Sequence, residues 1–223
     1  LNMVERIQSY STYKFHHTKY ERIEIEKIKE ILDAKINTRP LKVYLRQKLP
    51  VDGLEMLYNE GENDGKALIN PNAFPWVNLN LDPQGSIIRK GQHHSLYAFD
   101  FNYLIGFLDH LLKKYSKDAE NMVLLKGEVL WDERKCYHIE MNNPHYARST
   151  YTVKGDEKLI AIAKKLNVNE YSIVDMNDNI DSYNDVSDGQ EIYVPNDYAK
   201  KMTLYLDKEF LLPVMIKVYD DKG

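Results

Sequence analysis

The sequence predicts an α+β protein built mainly on antiparallel sheet, and three observations carry that prediction. Through the first half, aromatic and β-branched residues alternate with polar ones, as in Tyr13-Lys14-Phe15 and Val43-Tyr44-Leu45, a period that fits a pleated surface buried on one side. A single long stripe at helical spacing interrupts the alternation at Leu104, Phe107, Leu108, Leu111, Leu112 and Tyr115. Residues 151–195 then change character, with two short β runs enclosing two short helical stretches, before alternation resumes at Met202, Leu204 and Leu206.

In chain order, Met3, Val4 and Ile7 share one helical face and Asn2 can cap it, so a short helix comes first. Strands follow at Tyr10–His17, Lys19–Glu26, Glu30–Asn37 and Lys42–Gln47. Glu55–Asn59 and Lys66–Asn70 flank Glu60-Gly61-Glu62-Asn63-Asp64-Gly65, whose Asp-Gly pair supplies the positive φ of a tight connection. Pro71, Pro75 and Pro83 make the next stretch mostly loop, with Trp76–Leu81 a candidate edge strand. The main helix, Phe101–Tyr115, is capped by Asp100, carries Lys113 and Lys114 at its C-terminal end, and should lay its apolar face on the sheet. Val123–Leu130 and Lys135–Met141 form a hairpin around Trp131-Asp132-Glu133-Arg134, and Asn142-Asn143-Pro144 ends it. Two last strands contain Met202–Leu206 and Val214–Val218, and Asp220-Asp221-Lys222-Gly223 reads as a turn.

Composition bounds the function. The chain has 223 residues, 43% apolar, enough for one sizeable core or a main domain with a small companion. Lys and Arg total 30 against 34 Asp and Glu, a net charge of −4; without clustered cations to displace counterions, nucleic acid is not an expected partner. The single cysteine, Cys136, excludes an internal disulfide and any zinc site built on paired thiolates. No run approaches the roughly 20 apolar residues of a membrane span. A start at Leu1-Asn2-Met3 suits an exported chain whose targeting segment has been removed.

The segment Tyr151 to Pro195 resembles a LysM domain, a small module that binds polymers containing N-acetylglucosamine. The residues that carry the resemblance are Tyr151-Thr152-Val153-Lys154-Gly155-Asp156, Leu159, Ile162-Ala163, Ile173, Asn177, and Gly189-Gln190-Glu191-Ile192-Tyr193-Val194-Pro195. Periodicity alone supports the same βααβ unit: Leu159, Ile162, Ala163 and Leu166 form a helical stripe, and Asn169 can cap a second helix running through Met176. The resemblance implies a shallow groove between two loops and glycan contacts from Gly155, Asp156, Glu157, Lys158 and Leu159 on one side and Asn177, Asp178, Asn179 and Ile180 on the other. Relative to the family, the first loop is one residue shorter and has Glu157 where Thr or Ser is usual. The outer strands of such a unit pair antiparallel, so its ends emerge together and it can be spliced into a turn of a host domain. Lys135–Met141 and Met202–Leu206 are then expected as sheet neighbours.

The remainder, residues 1–150 and 197–223, is similar to the LolA-like half-barrel of periplasmic lipoprotein carriers. Its wording is similar to that of a family of uncharacterised bacterial envelope proteins sharing that fold, at Arg39-Pro40-Leu41-Lys42-Val43-Tyr44-Leu45, Leu81-Asp82-Pro83-Gln84-Gly85, and Leu212-Pro213 following Leu206-Asp207. That resemblance implies one curved antiparallel sheet with a main covering helix, hosting the LysM domain at 151–196.

Other chemistry gives way to plainer readings. His16-His17 point to opposite faces of a strand, and His93-His94 lie in a loop where capping or hydrogen bonding suffices, so no metal is expected. Cys136 reads as a buried thiol, Ser95 lacks a nucleophile-elbow pattern, and Glu128, Asp132 and Glu133 around Trp131 read as a solvated hairpin tip. The expected protein is therefore a non-enzymatic constituent of the periplasm or cell envelope, without a cofactor. It binds peptidoglycan or N-acetylglucosamine oligomers through the LysM unit, and its host binds a lipid-like ligand or a protein partner. The alternative is a lipid or lipoprotein carrier in which the LysM unit is only a structural insert.

Overall fold

The computed structural model describes residues 3–23 and 25–219. The cap assigned to Asn2 and the turn assigned to residues 220–223 lie outside the described residues. The chain divides into two compact units, Tyr10–Tyr103 and the combination of Leu1–Ser9 with Leu104–Gly223. The expected mixture of antiparallel sheet and few helices is present, and among the described residues no sheet closes into a barrel.

The unit Tyr10–Tyr103 is an antiparallel meander in the order β1-β2-β3-β4-β5-β6, made of β1 (Thr12–Ile23), β2 (Glu26–Thr38), β3 (Leu41–Leu49), β4 (Glu55–Asn59), β5 (Ala67–Asn70) and β6 (Leu79–Leu81). Two expected strands, Tyr10–His17 and Lys19–Glu26, are one: β1 runs unbroken through Thr18, because the inward-facing series Tyr13, Phe15, His17, Lys19, Glu21 never changes phase. These residues stand opposite Ile36, Ala34, Leu32, Glu30 and Ile28 of β2. Asp64 and Gly65 both have positive φ (53° and 73°), as the Asp-Gly connection requires. Of the candidate edge strand only Leu79–Leu81 pairs.

The inner face of this sheet is filled by the protein's own side chains. Leu32, Ala34, Ile36, Val43, Leu45, Met56, Tyr58, Ala67 and Ile69 pack against Leu96, Ile88, Tyr97 and Phe99. The covering residues come from α2 (Ser86–Arg89) and a 3-10 turn at Leu96–Phe99. Asp100 caps the start of α3 (Phe101–Lys114), accepting the Asn102 N–H at 2.9 Å while also accepting from Tyr13 Oη at 2.8 Å.

In the other unit, α1 (Met3–Ser9) buries Ile7. A second sheet has the order β12-β11-β8-β7, built from β7 (Val123–Trp131), β8 (Arg134–Asn142), β11 (Lys201–Asp207) and β12 (Pro213–Tyr219). The described strands outside residues 148–195 thus form sheets of six and four, not the one continuous curved sheet expected from sequence. Asp132 and Glu133 close the β7–β8 hairpin with φ of 47° and 63°, the left-handed pair that matches strand twist. α3 and α4 (Ala119–Met122) put Leu111, Leu104, Leu108 and Met122 against Met141 of β8 and Met202 of β11. The main helix therefore packs on the four-stranded sheet, and residues 86–99 do the covering that the meander needs.

β8 and β11 are direct antiparallel neighbours, with Met141 opposite Met202. The chain between them forms β9 (Arg148–Thr152), α5 (Leu159–Leu166), α6 (Glu170–Asp175) and β10 (Glu191–Pro195), with β9 and β10 in a two-stranded sheet of their own.

Candidate glycan-binding site

The βααβ segment has a private core. Val153, Leu159, Ile162, Ala163, Val168, Ile173, Ile180, Val186, Ile192 and Val194 are all buried together. α5 ends at Asn167 in the left-handed conformation (φ 56°), with the Val168 N–H turned back to the Ala163 carbonyl at 3.0 Å. Asn169 caps α6 through the Tyr171 N–H at 2.8 Å, as its residue type predicts. β9 starts three residues before the expected Tyr151, since Arg148 already stands opposite Pro195.

The first loop is held by its own side chains. Gly155 takes a φ of 56°, a conformation that costs glycine nothing, and its N–H donates to Asp188 Oδ1 at 2.6 Å. Glu157 accepts from Tyr151 Oη (2.7 Å) and from the Lys154 N–H (3.2 Å) and pairs with Lys165 Nζ (3.2 Å). The Tyr151 hydrogen bond, aided by Lys165, holds the Glu157 carboxyl below its ordinary range. The residue that replaces the usual Thr or Ser therefore braces the shortened loop. Spacing gave no sign of this, because Lys165 sits in the last turn of the next helix.

The second loop is fastened by Asn177. Its Nδ2 donates to the Ile173 and Tyr193 carbonyls (2.6 and 2.8 Å), and its Oδ1 accepts the Tyr193 N–H at 2.8 Å, tying the end of α6 to β10. Of the nine residues assigned to glycan contact, Leu159, Asn177 and Ile180 are buried. Their side chains complete the core, so at those positions only backbone can face a ligand. Gly155, Asp156, Lys158, Asp178 and Asn179 are exposed, and Glu157 is half-buried. The exposed set offers amides, carbonyls and short polar side chains, the groups that hydrogen-bond acetamido and hydroxyl substituents.

The base of the segment is a clamp. Asn196 N–H donates to the Ala147 carbonyl (3.0 Å), Ala147 N–H to Asn196 Oδ1 (2.8 Å), and Asn143 N–H to the Lys200 carbonyl (2.8 Å). Asp197, only 2% exposed, accepts from Asn143 Nδ2 (3.0 Å), Lys114 Nζ (2.8 Å) and Tyr115 Oη (2.8 Å). The His145 ring stacks on Tyr115, with 4.6 Å between centroids.

Elsewhere, three of the four paired histidines, His16, His93 and His94, are engaged by polar partners, while His17 packs among aromatic rings. His16 points outward to Asp33 (2.9 Å) while His17 points inward between Phe15 and Phe99. His93 Nε2 donates to the Arg22 carbonyl (2.6 Å), and His94 Nδ1 lies 3.3 Å from Glu21. Among the described residues no three His, Cys, Asp or Glu side chains group as a metal site. Cys136 is buried, and burial raises its thiol above the ordinary value, leaving it neutral. Glu128 pairs with Lys208, and Trp131 packs edge-on against Tyr205. No described helix is long and apolar enough to cross a membrane.

Comparison with known proteins gives the segment a family. Residues 151–195 match the LysM domain, which points to glycans containing N-acetylglucosamine, such as peptidoglycan, and to an extracellular or cell-envelope setting. No curated protein matches the chain. Among solved structures, a DUF1329 family protein from Desulfovibrio piger ATCC 29098 is similar at 11% identity and a TM-score of 0.35, over 99% of this chain and 71% of that one. Residues 10–166, a range that overlaps the start of the LysM match and spans more than half of the chain, match the family described as protein of unknown function DUF1571, and the chain belongs to that family.

Proposed function

We propose that this is a non-enzymatic protein of the periplasm that holds peptidoglycan, or another N-acetylglucosamine polymer, on the surface formed by residues 155–158 and 178–179. In this reading residues 151–196 are a LysM domain spliced into a discontinuous host of residues 1–150 and 197–223, whose meander is the half-barrel of the carriers. The observation that carries the proposal is the LysM match laid on an intact core, with both loops braced and their polar edges exposed. Braced loops lose little entropy on binding, yet a shallow groove without an aromatic platform makes few contacts, so the affinity should be weak. The filled inner face of the six-stranded sheet favours a host that acts as a docking platform over one that carries an acyl chain inside.

Retention on purified cell-wall sacculi is the test. The intact protein should be pulled down, Asp178→Ala with Asn179→Ala should be retained several-fold less at an unchanged melting temperature, and a variant lacking residues 151–195 should not be retained. Equal retention of the intact and deleted proteins would end the proposal.

A further inference from the structure

We propose that the six-stranded unit docks on a lipid bilayer surface through the end of its sheet that carries the β1–β2, β3–β4 and β5–β6 connections. In an antiparallel meander alternate connections fall at the same end, so these three share one edge and the other two share the opposite one. The two ends differ in chemistry. The β4–β5 connection at the far end carries Glu60, Glu62, Asp64 and Lys66. The three connections at the near end, with Leu49 at the end of β3, present Ile25, Leu49, Val51, Phe74, Trp76 and Val77, all exposed, with Ile25 at 96%, Phe74 at 86% and Trp76 at 75%; their sequence carries only the acids Glu24 and Asp52. The last two of these connections are fastened together, because Asn72 Nδ2 donates to the Asp52 carbonyl at 2.9 Å. The Trp76 N–H closes a turn on the Ala73 carbonyl at 2.8 Å, which presents both aromatics outward.

Three features select a bilayer as the occupant. First, no charged residue occurs between Lys66 and Asp82 in a chain of which 29% is charged, and the cost of desolvating charge is what an interfacial segment has to avoid. Second, the apolar groups are separate, convex tips on three connections. A deformable apolar phase receives such tips together, whereas a folded partner would need a matching hollow for each. Third, Trp and Phe are the side chains that interfacial segments place at the headgroup boundary, and exposed Lys27 and Lys29, both over the Tyr20 ring, stand on β2 two and four residues behind the Ile25 tip, within reach of lipid phosphates. This docking does not depend on the glycan reading, since it uses no residue of 151–196.

In the 223-residue chain, Trp131→Phe leaves Trp76 as the only tryptophan. With phosphatidylcholine vesicles, and more so with phosphatidylglycerol added, its emission should shift to the blue and be quenched by lipids brominated on the acyl chain. In co-sedimentation, Phe74→Ser with Trp76→Asn should lower vesicle binding at least about tenfold. Asn tolerates the left-handed backbone at position 76 (φ 60°), so the melt should not move. Trp76 emission indifferent to vesicles, or undiminished binding by the folded double variant, would overturn the proposal. So would a blue shift that grows with protein concentration in the absence of lipid, which would assign the edge to a second copy of the chain.

Discussion

Lys19, Glu21 and Glu30 face inward from the first hairpin, on the same face as Phe15 and Ala34 four residues from Lys19 and Glu30, and each is retained there by partners from other segments. Lys19 Nζ lies 2.9 Å from Glu21 and 3.1 Å from Glu30, Gln47 donates to Glu30 at 2.7 Å, and the His93 N–H donates to Glu21 at 3.1 Å. Burial pushes the Glu21 carboxyl up, but the hydrogen bond with His94 and the charge of Lys19 outweigh it and bring it down to about 2. Burial pushes His17 and His93 below the ordinary histidine value, and the charge of Lys19 adds to the lowering. The signs give two steps. The unfolded chain protonates these histidines near 6.5 and the folded chain only at lower pH, so stability falls as the pH drops below about 6.5. Glu21 contributes fully above its unfolded value of about 4.5 and loses that contribution as the pH falls toward 2. Denaturant midpoints at about pH 7.5, 5.5 and 3.5 should therefore descend in order. His17→Phe should shrink the first drop, since the ring sits edge-on to Phe15 and Phe99 and Nδ1 has no hydrogen-bond partner to lose. An unchanged first drop would place the titration elsewhere.

At the scale of the element, α3 shows how far periodicity reaches. The stripe Leu104, Leu108, Leu111 and Tyr115 does meet the four-stranded sheet, but the buried arc is turned relative to the expected one: Ile105 is buried and Leu112 is 39% exposed. Leu111→Ala should accordingly cost about 2–4 kcal/mol, as for other buried leucines, while Leu112→Ala one residue away should cost about 0.5 kcal/mol or less. Equal shifts in chemical denaturation would mean that the helix packs on the other face. Elements fixed by local chemistry were legible in the sequence: β4 at Glu55–Asn59, the Asp132-Glu133 turn, and the caps at Asp100 and Asn169. Features fixed by distant partners were not. Nothing local marks Lys19 and Glu21 as half-buried and buried, since Gln92, His93 and His94 that cover them lie about seventy residues on, and the separation into two sheets depends on which strand β7 meets. The candidate site divides in the same way, because Asn177 is recognisable as a motif residue while its hydrogen bonds to Tyr193 appear only in three dimensions.

For the whole molecule, the question is whether the segment between β8 and β11 can be removed without loss of the sheet that flanks it. Pairing of β8 with β11 needs no residue of 148–195, since its register runs from Cys136 opposite Asp207 to Asn142 opposite Lys201. The segment's apolar residues pack on one another, and Met141 and Met202 pack with α3 and α4. The clamp beneath it, Asp197 with Asn143, Lys114 and Tyr115, also lies outside the segment. Ala147 and Asn196 are already hydrogen-bonded to each other, so they offer a closing pair across which a two-residue Asn-Gly turn can replace Arg148–Pro195. Shortening a closed loop changes its entropy only logarithmically, so the truncated protein should melt cooperatively, with a stability within about 1 kcal/mol of the whole. The excised piece, 148–195, should fold alone but marginally, as a core of that size allows. Differential scanning calorimetry separates the outcomes. One sharp transition for the truncated chain means the segment is an autonomous module, and a broad or absent transition means that the clamp and the four-stranded sheet fold only with it in place.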